Sequence, residues 1–219
     1  LTYEQFKRFH QKFYHPSNAR VVFAGDDAPE KRLEILDEVF SQFEAAPVDA
    51  EVKLQPRWNA PRQVSGTYAG PIDAEKRRDG MLSVNWMIDP PSGRDETMSH
   101  GILSYLLAGN SAAPLRKKLT ESGIGEGMIG GGISTWLRQP MAGFGLKGID
   151  PADAEKVEAL ILEALAEIAE TGFSAEQREA AINTFEFNLR EQNTGSMPRG
   201  MSYMFTALGP WLHGGDPLG

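Results

Sequence analysis

Residues 143–172 read GFGLKGIDPADAEKVEALILEALAEIAETG, and this stretch decides the fold class. Gly143 to Ile149 predicts a strand. Asp150 follows as a helix cap, and Asp153 suits the positive N-terminal end of a helix dipole. Val157, Leu160, Ile161, Ala164, Leu165 and Ile168 then trace one apolar stripe at helical spacing. Glu158, Glu163, Glu167 and Glu170 take the other faces, and Gly172 ends the helix. A strand thus runs straight into a long amphipathic helix.

The same pairing of elements extends outward in both directions. Downstream, Ser174 and Gln177 form a capping box for a helix reaching about Glu191. Asn193-Thr194-Gly195-Ser196 breaks the chain, and Pro198 to Leu212 predicts a last helix with Met201, Met204, Phe205 and Leu208 apolar. Upstream, Ile133 to Leu137 predicts a second strand. Gly123 to Gly132 holds six glycines in ten residues and reads as a flexible turn between a helix and that strand. Pro114 suits the first turn of a short helix to Glu121, and Glu96 to Ala108 predicts another. Pro90-Pro91-Ser92-Gly93 separates these from two further strands, Gln63 to Ala69 and Met81 to Ile88, which flank a charged loop, Asp73 to Asp79. Strands in adjacent pairs and helices in adjacent pairs predict an α+β fold. Its sheet is mostly antiparallel with helices packed on one face, not a doubly wound parallel sheet.

Residues 1–44 predict helix, strand, helix. Thr2 and Gln5 form a capping box, and Phe6, Phe9, Phe13 and Tyr14 give helical spacing. The helix stops before Pro16, because a residue preceding proline avoids the α region. Ala19 to Ala24 predicts a strand, Gly25-Asp26-Asp27 a turn, and Asp27 a cap for a helix opening at Pro29. Residues 45–61, with Pro47, Pro56 and Pro61 and no periodicity, read as a linker.

The chain has 219 residues, 41% hydrophobic and 24% charged, the ordinary balance of a globular protein. Its net charge of -8 argues against nucleic acid as a partner. The absence of cysteine excludes a disulfide framework, a Cys-zinc site and a thiol nucleophile. No apolar run reaches the ~20 residues that span a bilayer. The start at Leu1 and the end at Gly219 suggest a section of a longer polypeptide.

No catalytic signature emerges from the residues. The histidines, His10, His15, His100 and His213, include no i,i+4 pair that would aim two imidazoles at one zinc. Surface or cap positions account for them. Gly125-Glu126-Gly127-Met128-Ile129-Gly130 fits the G-x-G-x-x-G pattern. A dinucleotide site needs a strand before the glycines and a helix after them, and here the order is reversed. There is no phosphate loop and no G-x-S-x-G elbow. No residue is assigned to catalysis, to cofactor binding or to a metal.

Several stretches resemble the M16 metallopeptidases. Leu1 to His10, then Lys12-Phe13-Tyr14-His15-Pro16-Ser17-Asn18-Ala19-Arg20, Val21-Val22-Phe23 and Gly25-Asp26, resemble the segment closing that family's first domain. Ala113-Pro114-Leu115-Arg116-Lys117 with Glu121-Ser122-Gly123 resembles a family helix with its downstream Glu-x-Gly. Leu189 to Gly195 followed by Ser196-Met197-Pro198-Arg199-Gly200 is similar to the presequence protease branch.

The resemblance covers essentially the whole chain and implies a specific organisation. Residues 1–44 would be the C-terminal tail of a preceding catalytic-type domain, 45–61 the linker, and 62–219 a second, non-catalytic M16 domain. The parent would be a zinc metalloendopeptidase that encloses unfolded peptides, such as cleaved presequences, in a chamber. Its zinc would lie outside this chain on an inverted His-x-x-Glu-His motif, whose Glu acts as general base on a zinc-bound water. This sequence lacks that motif, and Arg199 and Tyr203 are not assigned to the family's Arg and Tyr of the far half. Expected partners are peptide substrates and the remaining domains of the polypeptide. Expected locations are the mitochondrial matrix or chloroplast stroma in a eukaryote and the cytoplasm in a bacterium. The alternative is a non-catalytic M16-like scaffold or peptide-binding subunit.

Overall fold

The structure, a computed structural model, describes residues 1–69 and 78–217. The chain divides into two compact units. Leu1–Lys53 groups with Thr194–Gly219, and Leu54–Asn193 forms the other.

The first unit is helical. Helix α1 (Tyr3–Phe13) opens on the expected capping box: Thr2 Oγ1 accepts from the Gln5 amide at 3.3 Å, and the Thr2 amide donates to Gln5 Oε1 at 2.8 Å. A 3-10 turn, Pro16–Asn18, follows. The strand expected over Ala19 to Ala24 does not form, since the segment has no ladder partner among the described residues. Helix α2 (Pro29–Phe40) is capped by Ala28 with no side-chain bond, contrary to the cap expected from Asp27. Asp27 instead faces Arg32, with Nε–Oδ2 at 2.8 Å and Nη2–Oδ1 at 2.6 Å. A guanidinium within reach outcompetes an exposed amide for that carboxylate. The last helix of the chain, over Arg199–Trp211, belongs to this unit. No described residue of the unit is buried.

The second unit contains the core. Strand β1 (Gly80–Met87), helices α3 (Arg94–Ser104) and α4 (Pro114–Glu121), strands β2 (Gly127–Ser134) and β3 (Met141–Ile149), and helices α5 (Ala154–Thr171) and α6 (Ala175–Glu191) follow in order. The Arg199–Trp211 helix is therefore α7. The sheet runs β1-β3-β2, antiparallel throughout. Val84 lies opposite Phe144, and Leu82 opposite Leu146, on the face turned to α5. Val157, Ile161 and Ala164 of α5 are fully buried there, and Leu115 and Leu119 of α4 close the same core. Trp86 and Phe144 pack with ring centroids 6.3 Å apart. On β1 the other face presents Met81, Ser83, Asn85 and Met87, all exposed, so the strand alternates as a sheet covered on one side requires.

Four expectations change here. Gln63 to Ala69 forms no strand with any described residue, and Val64 is 93% exposed. Alternating residues alone do not supply a ladder partner. The glycine-rich run is no flexible turn, since Gly127 already begins β2. That strand ends at Ser134, short of the Leu137 expected. Finally, the helix expected to run to Ala108 stops being α-helical at Ser104 and continues as a π-turn, Tyr105–Gly109. Of the expected loop Asp73 to Asp79, residues 73–77 lie outside the described residues.

Candidate functional site

The four histidines serve local roles. His10 stacks on Tyr14 at 4.5 Å, and His15 caps the 3-10 turn through Nδ1, which accepts from the Ser17 amide at 3.2 Å. His213 sits in the turn that follows α7, its amide donating to the Pro210 carbonyl. His100 lies on α3 one turn beyond Glu96, with a buried Nδ1 that has no hydrogen-bond partner among the described residues. Among the described residues, no group of three or more His, Asp or Glu side chains converges as metal ligands would. With no cysteine in the chain and no such convergence around any histidine, the described residues do not offer the donor set that zinc needs. The G-x-G-x-x-G stretch follows α4 and runs into β2, so no helix follows the glycines to bind a pyrophosphate.

What the second unit does build is a cleft of about 290 Å³. One wall is Ser104 at the end of α3 with Tyr105, Ala108 and Gly109 of the π-turn. Such turns are rare and concentrate at functional positions. The opposite wall is Gly130-Gly131-Gly132 of β2. Here the register to β3 slips between Ile129 and Gly132, the mark of a bulge. Gly130 and Gly132 have φ of 87° and 81°. A Cβ would overlap the Gly143 carbonyl at the first and Ser104 Oγ at the second, so only glycine fits. Ser104 Oγ accepts from the Ile133 amide at 2.9 Å and ties the two walls together.

Arg116 of α4 completes the cleft. Its Nε donates to the Ala108 carbonyl at 2.7 Å, which fixes the guanidinium against the π-turn. Its two terminal nitrogens have no acceptor among the described residues. Tyr105 is held by an edge contact to Phe185 of α6, centroids 6.1 Å apart. The arrangement can bind; it offers no paired nucleophile and base. Sequence reasoning missed it because a π-turn and a bulge are register events. The signal available was the glycine run, read there as a turn.

Comparison with known proteins gives the family. Residues 1–185 match the family model described as the Peptidase M16 inactive domain. The chain belongs to the M16 peptidase family. Presequence protease 1, chloroplastic/mitochondrial, of Arabidopsis thaliana is 43% identical over 221 residues, which covers 100% of this chain and 20% of that protein. The mitochondrial presequence protease of Xenopus tropicalis is 34% identical over 223 residues, covering 100% of this chain and 21% of that protein. Protein HypA of Clostridium perfringens is 33% identical over 218 residues, covering 99% and 22%. The chain thus spans about a fifth of the length of these relatives. The inactive peptidase domain of a candidate zinc protease from Bordetella parapertussis has the same fold, with a TM-score of 0.51 at 18% identity over 66% of this chain and 76% of that one. This M16 chain is an α+β inactive domain related to presequence proteases.

Proposed function

We propose that this M16 domain is a non-catalytic section of a zinc metalloendopeptidase that degrades unfolded peptides, such as cleaved presequences, inside a closed chamber. The observation that carries the reading is the match of residues 1–185 to the inactive domain of the family, with presequence proteases aligned across the whole chain. In this reading zinc is held by another section of the polypeptide, and this domain supplies chamber wall. The second unit, with its packed core, is that wall. The first unit exposes Phe6 and Phe9 on α1 and Phe23 in the segment after it, and none of its described residues is buried. Apolar faces of this kind need cover. We assign residues 1–44 to the end of a preceding catalytic-type domain, whose remainder supplies that cover.

Peptides and the other domains of the polypeptide are the partners, and no described helix is long and apolar enough to cross a membrane. The relatives' names point to the mitochondrion or chloroplast for a eukaryotic source, and a bacterial source would place the protein in the cytoplasm. The test is cleavage of unfolded peptides by the full-length protein with zinc supplied. Cleavage abolished by a chelator supports the reading. Intact peptides in the presence of zinc would leave a non-catalytic scaffold as the function.

A further inference from the structure

Within the stretch that reads as a linker, Gln55 has both of its main-chain groups taken by one distant side chain. The Gln55 amide donates to Gln139 Oε1 at 2.6 Å, and Gln139 Nε2 donates to the Gln55 carbonyl at 3.3 Å. This two-bond ring is the pairing that a neighbouring antiparallel strand offers one residue. A primary amide can supply it because it carries an acceptor and a donor side by side. Pro56 prepares the site. The residue before a proline is pushed to extended backbone, where its own amide and carbonyl point the same way. Lacking an amide, Pro56 adds no further bond. Two residues after Gln55, the Arg57 guanidinium pairs with the Asp89 carboxylate.

The two anchors are neighbours. Gln139 lies in the connection from β2 to β3, and Asp89 follows β1. The Ile88 amide donates to the Pro140 carbonyl at 2.9 Å, which ties the two connections together at one end of the sheet. All these residues belong to the unit Leu54–Asn193. The paired residues are 84 and 32 positions apart in sequence, so neither contact is a by-product of local chain folding. The contacts also differ in kind. The Arg57 and Asp89 side chains are 85% and 66% exposed, so their attraction is weak and falls as salt is added. The Gln139 bonds join neutral groups and do not share that dependence.

We propose that Gln139 and Asp89 form a clasp on Gln55–Arg57 that fixes where the linker leaves the sheet. The neutral Gln139 bonds are its hold, and the Arg57–Asp89 pair is its salt-sensitive part. Opening the clasp frees the linker from the end of the sheet and lengthens the tether to the chain before it. Gln139 is in this sense a positioning residue. The clasp goes beyond the peptidase reading and stands whether or not the polypeptide cleaves peptides.

The experiment measures two quantities in the full-length protein by mass spectrometry. One is hydrogen exchange at the Gln55 amide, relative to its intrinsic rate. The other is the rate of trypsin cleavage after Arg57 divided by that after Arg62, which lies in the same stretch outside the clasp. Gln139→Ala should speed exchange at Gln55 about tenfold, the size expected of two lost bonds between neutral groups, and raise the cleavage ratio. Gln55→Ala should change neither, because the clasp holds main chain and not the Gln55 side chain. Asp89→Asn should raise the cleavage ratio about twofold at about 0.1 M salt and match wild type at about 1 M. Unchanged exchange at Gln55 in Gln139→Ala would overturn the proposal. So would a loss of protection in Gln55→Ala equal to that in Gln139→Ala. If Gln139→Ala disturbs the fold, exchange in β3 rises with it, and the Asp89→Asn comparison decides: a cleavage ratio equal to wild type at both salt concentrations would overturn the clasp.

Discussion

At the scale of single residues, the structure depends on hydrogen bonds placed where the helices leave amides unpaired. Ser174 Oγ accepts from the Gln177 amide at 3.1 Å, and Gln177 Oε1 accepts from the Ser174 amide at 2.9 Å. Ser174→Ala should lower the unfolding free energy by about 1 kcal/mol in a urea titration. Gly145 sits where a Cβ would overlap the Leu82 carbonyl on β1. Gly145→Val must push the two strands apart, at a cost of about 3 kcal/mol or more, visible as a fall in thermal midpoint. Glu96 accepts from the Ser92 amide at 2.7 Å and from its hydroxyl at 2.8 Å. These bonds, the amide's first, hold its carboxyl below the usual carboxylate range. A depressed folded-state pKa stabilises fully above the unfolded value and is lost as pH falls through the folded one. The stability difference between wild type and Glu96→Gln should therefore shrink as pH falls below about 4. A difference that stays constant with pH would show that these bonds do not favour the ionised form.

At the scale of elements, local signals were legible where the chain decides its own structure. The capping boxes at Thr2 and Ser174, the apolar stripe of α5 and the span of α4 follow from residues a few positions apart. What the sequence could not announce was partnership. Ala19 to Ala24 and Gln63 to Ala69 have strand composition and no neighbouring strand among the described residues, whereas Gly127 to Gly132 has poor strand composition and a neighbour in β3. The π-turn that builds the cleft is equally silent, because it moves register without changing composition. Packing is concentrated on α5, where Ile161 is fully buried against β3 and α4. Ile161→Ala should cost about 3 kcal/mol by denaturant titration, the range for a buried aliphatic truncation. Hydrogen exchange should separate the elements in the same way. Amides of α5 are expected to be the most protected, and those of α1, which has no buried residue, among the first to exchange in the 219-residue chain. Equal protection of the two helices would contradict a first unit that needs cover from elsewhere.

At the scale of the whole molecule, the proposed function separates this domain from the chemistry. This M16 chain supplies fold, surface and a cleft, and its described residues form no metal-ligand cluster. The proposed function puts zinc and the bond-breaking step in another section of the polypeptide. The most direct test is to measure bound zinc and peptide cleavage side by side, for the full-length protein and for residues 1–219 alone. The account predicts stoichiometric zinc and chelator-sensitive cleavage in the full-length protein, and neither in residues 1–219. Zinc-loaded full-length protein that leaves unfolded peptides intact would contradict it, as would stoichiometric zinc on the isolated chain.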